Sequence, residues 1–188
     1  MNTTTQESEM AKPTDKKQKP EIVLKNIKHA ASLSRETYAY TATVYVDGKR
    51  LYAVSNDGHG GGDMISPATR GGAMDWQAYR ELEKRIGATY PKWGGKFADD
   101  GVDDMDQNLE MVCHDLVTDW LIRKDLKSQL RRKLTYIRDG QVYECSGKLK
   151  VADIPRIRKM ATWAKDVVFL NEMPFEEALK AWRKAGEA

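Results

Sequence analysis

The stretch TYAYTATVYVDGKRLYAVSN, residues 37–56, constrains the fold more than any other part of the chain. It is rich in Thr, Tyr and Val, residues that suit a pleated, half-buried surface. Asp47-Gly48 divides it at the point where a two-residue turn with both central residues at positive φ is needed. Alternation sorts the first half into two faces. Tyr38, Tyr40, Ala42, Val44 and Val46 form the expected buried side, and Ala39, Thr41, Thr43 and Tyr45 the other. Leu51 to Val54 continue on the return strand. A β-hairpin is therefore predicted here, with a further strand over Ile22 to Ile27.

Downstream, the periodicity turns helical. Asp75 precedes Trp76, Tyr79, Leu82 and Ile86, so it reads as an N-cap, and Gly87 reads as the stop. A long helix is expected from about Asp103 to Arg132. Its stripe is Met105, Leu109, Val112, Leu116 and Trp120, with Ile122 beside them. Acidic Asp103, Asp104, Asp106 and Glu110 stand at its start, and Arg123, Lys124, Lys127, Arg131, Arg132 and Lys133 at its end. That order complements the helix macrodipole. LTYIRDGQVYEC repeats the hairpin signal around Asp139-Gly140. Asp153 then caps a short helix, DVVFLN reads as a buried strand, and Pro174 opens a last amphipathic helix. The predicted class is α+β: a small mixed domain over residues 21–188, with two hairpins packed against a long central helix and shorter helices. Residues 1–20 are polar and lysine-rich, and are expected to form a disordered tail.

The net charge of +3 in 188 residues permits contact with nucleic acid without requiring it. Cys113 and Cys145 form no CxxC pair and read as reduced thiols. No run of about 18 apolar residues exists, so no membrane helix is predicted. The polar start lacks the apolar core of a secretory signal, and the expected location is the cytoplasm.

The segment SNDGHGGGD, residues 55–63, follows the hairpin directly and is the foremost candidate site. It ends like neither a P-loop nor a dinucleotide fingerprint. Three readings remain. As a recognition loop, Asn56, Asp57 and His59 supply polar contacts, Gly58, Gly60, Gly61 and Gly62 let the segment adapt, and Asp63 closes it. As a metal site, Asp57, His59 and Asp63 bind a divalent ion for phosphodiester or nucleotide hydrolysis, with His114 and Asp115 completing the shell. As a turn, it has only a structural role. A separate basic patch, the basic end of the long helix (Arg131, Arg132 and Lys133 foremost) with Arg138, Lys148 and Lys150, extended by Arg156, Arg158 and Lys159, is either a solvated face or a nucleic-acid contact, with Tyr136 and Tyr143 available to stack on bases. No catalytic residue and no cofactor are assigned.

KNIKHAASLSRETYAYTATVYVDGKRLYAVSNDGHGGGD at the front and VVFLNEMPFEEALKAW at the close resemble small proteins of phages and other mobile elements. That resemblance implies an accessory protein that acts in the host cytoplasm by binding a host protein or nucleoprotein complex. Inhibition of a host defence system is its most specific form.

Overall fold

The structure, a computed structural model, describes residues 18–92, 105–145, 147–162 and 167–186. The fold is α+β, with four α-helices and two antiparallel sheets among the described residues. The chain divides into two compact units, residues 1–117 and 118–188. Most of the expected tail, and the expected helix start at Asp103 and Asp104, lie outside the described residues.

In the first unit, β1 (Ile22–His29), β2 (Tyr40–Val46), β3 (Lys49–Asn56) and β4 (Met64–Pro67) form an antiparallel meander in chain order. Asp47 and Gly48 both take positive φ, 50° and 77°, which matches the right-handed twist of the flanking strands. The predicted face is buried at Tyr40, Ala42, Val44 and Val46, and β3 adds Tyr52 and Val54. Tyr38 lies just ahead of β2 and is exposed. The short strand β4 had no sequence signal.

Helix α1 (Trp76–Thr89) starts as expected: the Asp75 carboxylate accepts from the amides of Gln77 and Ala78. It does not stop at Gly87, which lies inside it. Pro91 ends it instead, because the residue before a proline is driven out of the helical region, and Tyr90 is extended at φ −86°, ψ 151°. Leu82 and Ile86 are buried, whereas Trp76 is 61% exposed. Tyr79 meets Tyr52 of β3 edge-on at 5.6 Å, packing the helix on the sheet.

Helix α2 spans Leu109–Arg132, and the described residues 105–108 before it, predicted to be helical, are not. Asn108 sets that start, its side-chain oxygen accepting from the Met111 amide at 2.8 Å. The buried stripe is Leu109, Val112, Cys113, Val117, Leu121 and Leu126, so Trp120 stands beside it rather than on it.

In the second unit, β5 (Thr135–Arg138) pairs with both β6 (Gln141–Glu144) and β7 (Val168–Phe169). Asp139 and Gly140 repeat the positive-φ turn at 50° and 75°. Helix α3 (Ile154–Met160) follows a short 3-10 turn, and α4 (Phe175–Gly186) closes the described chain. Leu134, Cys145, Ile154, Val167 and Phe169 form this unit's core. The expected strand DVVFLN shrinks to two residues because Leu170–Glu172 turns into a 3-10 helix.

Asn171 in that turn takes over the C-terminal carbonyls of α2. Its amide donates to the carbonyls of Leu130 (2.8 Å) and Lys133 (2.9 Å), and its oxygen accepts from the Thr135 amide at 2.7 Å. Three bonds of about 0.5–1.5 kcal/mol each make this one side chain the clasp between α2, β5 and the turn. Asn171→Ala is expected to lower unfolding free energy by about 2–4 kcal/mol in urea denaturation. A loss below about 0.5 kcal/mol would remove the clasp from the account.

Candidate functional site

The glycine segment is built around Asn56, at the end of β3. Its oxygen accepts from the Thr37 hydroxyl and from the Gly58 amide, both at 2.8 Å. Its amide donates to the Gly61 carbonyl at 2.9 Å and to Asp63 Oδ1 at 3.0 Å. Every hydrogen-bonding site of the side chain is thereby used inside the protein. Asp63 is bonded on both of its carboxylate oxygens. Its second oxygen accepts from the Tyr40 hydroxyl, and its amide donates to Glu110 Oε1 at 3.0 Å. Asn56 is 9% exposed and Asp63 8%. Burial, and then the Asp63 carboxylate, push the Tyr40 hydroxyl far above its usual range, so it stays a donor.

Gly58 holds the segment against the preceding loop. Its carbonyl accepts from the amides of Arg35 (3.0 Å) and Glu36 (3.1 Å). With φ at +86°, a Cβ here would sit 2.9 Å from Ala39 Cβ and well inside contact distance of the Leu33 carbonyl. At Gly58, then, the glycine serves close packing in a pinned turn. Asp57 and His59 do remain at the surface, with His59 Nδ1 3.5 Å from Asp57 Oδ1.

The residues proposed for a metal fall in two places: Asp57 and His59 meet at the surface, and Asp63, His114 and Asp115 border a separate cavity. Asp63 faces the buried network while Asp57 faces solvent, and no group of three or more His, Cys, Asp or Glu among the described residues is placed to hold an ion. His114 lies exposed on α2, its ring stacked on Tyr38 at 6.2 Å between centroids. A small cavity of about 180 Å³ between the segment and α2 is lined by Thr37, Asn56, Asp63, Glu110, His114 and Asp115. Burial raises the Asp115 carboxyl, and His114 partly offsets that. Cys113 is fully buried, and desolvation with the nearby carboxylates pushes its thiol up to about 12, which leaves no thiolate for chemistry near neutral pH.

The second unit presents a different surface. Residues 118–188 carry 16 Lys and Arg against 10 Asp and Glu, whereas residues 1–117 carry 15 against 18. The overall charge of +3 therefore conceals +6 on one unit and −3 on the other. Part of the excess lines two adjoining clefts of about 1030 and 720 Å³, which share Leu130, Arg131, Arg132, Val151 and Asn171. The first adds Arg123, Lys124 and Lys127 from α2, and the second adds Lys133, Lys148 and Lys150. No Asp or Glu lines either.

Two of these eight cations are neutralised by neighbours. Arg123 pairs with Asp119 and Glu176 at 2.7 Å, and Lys133 pairs with Glu144. The Arg123 and Arg183 guanidiniums overcome the burial of Asp119 and hold its carboxyl below its usual range, so this network is locked in its charged form. Lys124, Lys127, Arg131, Arg132, Lys148 and Lys150 make no ion pair among the described residues.

The sequence singled out Arg131, Arg132 and Lys133 correctly as neighbours of Lys148 and Lys150. It also placed Lys124 and Lys127 in that patch, as part of the basic end of the long helix, and it missed Trp120 and Phe175 as parts of the same groove. The predicted stacking tyrosines lie elsewhere: Tyr136 and Tyr143 stack on each other at 5.5 Å, and Tyr136 also meets Phe169. Arg156 and Arg158 are paired with Asp153 and Glu172.

Comparison with known proteins gives no family model, curated protein or solved structure that matches the chain. Among the described residues, no helix is long and apolar enough to cross a membrane.

Proposed function

We propose that the protein works by binding, and that it binds nucleic acid, free or within a nucleoprotein complex, through the electropositive groove of residues 118–188. The observation that carries this reading is the groove's charge: eight Lys and Arg side chains line it, six are not ion-paired, and no carboxylate is among them. Macrodipole complementarity accounts for basic residues in the last turn of α2. It does not account for Lys148 and Lys150, which come from the segment after β6 and converge on the same groove. Like charges gathered without counter-charges oppose folding, and a polyanion relieves that repulsion. The glycine segment has less claim to the partner, because Asn56 has no hydrogen-bonding capacity left for one and Asp63 is buried with both carboxylate oxygens already bonded.

The test is a salt titration of the full chain on labelled DNA and RNA, read by fluorescence anisotropy. Six cations meeting six phosphates give a log Kobs against log salt slope of about −4 on single strands and about −5.4 on duplex DNA. A flat plot, or no binding at about 50 mM salt, would refute the reading.

A further inference from the structure

The groove carries more than charge. Trp120 from α2 and Phe175 from the start of α4 both line it, and the fully buried Leu170 lies beneath. Lys124 Nζ sits 4.9 Å from the centre of the Trp120 ring, and Lys127 Nζ sits 5.0 Å from that of Phe175. Each aromatic face thus carries an exposed lysine of α2, and Trp120, Lys124, Lys127 and Arg131, spaced by four, three and four residues, share one line of that helix. From Trp120 to Arg131 this line rises about 16 Å along the helix.

We infer that the groove selects unpaired strands: the bases stack on Trp120 and Phe175 while Lys124, Lys127 and Arg131 hold the phosphates. This rests on the nucleic-acid reading above and narrows it to single-stranded DNA or RNA. A duplex hides its base faces, so it would use the cations and gain nothing from two rings and an apolar floor. A single strand uses both. The lysines over the rings do not block this. An exposed cation–π contact contributes about 0.5–1 kcal/mol, whereas a base stacked on an aromatic side chain contributes about 1–3 kcal/mol. The base displaces the ammonium from the ring face, and the freed ammonium remains within reach of the adjoining phosphate.

The test compares three probes of about 20 units, oligo-dT, oligo-U and a mixed-sequence duplex, on the full chain and on Trp120→Leu and Phe175→Leu. Leucine keeps apolar bulk and removes the flat face, and thermal melting of each variant checks its fold. The expected result is tighter binding of one or both single strands than of the duplex. Each variant should then lose about 5- to 100-fold on the single strand, at an unchanged salt slope and an unchanged duplex affinity. Equal affinity for strand and duplex, with both folded variants neutral, would overturn the stacking while leaving the electrostatic groove intact. No binding of any probe would overturn the nucleic-acid reading itself, and the groove would then fit an acidic protein surface.

Discussion

Reversing two charges in the groove, Lys127→Glu together with Arg131→Glu, is expected to lower nucleic-acid affinity by about 100-fold or more at low salt. A unit charge 4 Å from a phosphate is worth about 1 kcal/mol even in a water-like dielectric. Reversal replaces that attraction with an equal repulsion, so two positions change the balance by about 4 kcal/mol before screening. The neutral pair Lys127→Ala with Arg131→Ala should cost less and flatten the salt slope by about 2, one for each phosphate that is no longer neutralised. Neither side chain makes an ion pair among the described residues, and both are exposed, so the fold should tolerate either change. The decisive control is Lys49→Glu with Arg70→Glu, two exposed residues of the first unit that line neither cleft. It changes the total charge by the same amount and should leave affinity within about twofold. If the control falls as far as the groove variant, net charge rather than the groove governs binding, and the assignment of a site fails.

The groove was half legible in the sequence. Arg131, Arg132 and Lys133 are adjacent, and adjacency in sequence is visible without a fold. Lys124 and Lys127 belong to the same basic helix end and were visible too, with the helix dipole as a competing explanation, whereas Trp120 fitted a stripe of core residues. Phe175 reaches the groove where the 3-10 turn at Leu170–Glu172, held by Asn171, and the Arg123–Glu176 pair bring the start of α4 to α2. Such a long-range bond leaves no periodic trace. The hairpins stand at the opposite extreme. In both, an Asp-Gly pair fixes the turn locally, and in the first a period of two also fixes the face, so sequence sufficed. The strand β4 escaped notice because four residues, Met64–Pro67, are too few for alternation to emerge and end in a residue that strands disfavour.

The glycine segment taught the opposite lesson, since its composition was conspicuous and its meaning was not. Four glycines suggested freedom, but the partners that fix the segment are Thr37, Tyr40 and Glu110, which lie 19, 23 and 47 residues from the groups they bond. The positions can be separated by experiment, because the structure gives them unequal demands. Gly58→Ala places a methyl group against the Leu33 carbonyl and Ala39 in a left-handed conformation. The conformational cost is about 1–2 kcal/mol, and overpacking against backbone adds about 1–3 kcal/mol. A loss of about 2–5 kcal/mol is therefore expected in chemical denaturation, a large part of the stability of a domain this size. Gly60→Ala shares the unfavourable φ, +87°, but meets only the end of the exposed Glu36 side chain, which can swing away. Its cost should stay near the conformational part, about 1–2 kcal/mol. Gly61 has no atom within 4 Å of an added Cβ and no positive φ, so Gly61→Ala should change stability by less than about 0.5 kcal/mol. The order Gly58, Gly60, Gly61 is the test. Three equal small losses would mean that the segment is loose after all, and the adaptable-loop reading would return with Asp57 and His59 as its exposed contacts.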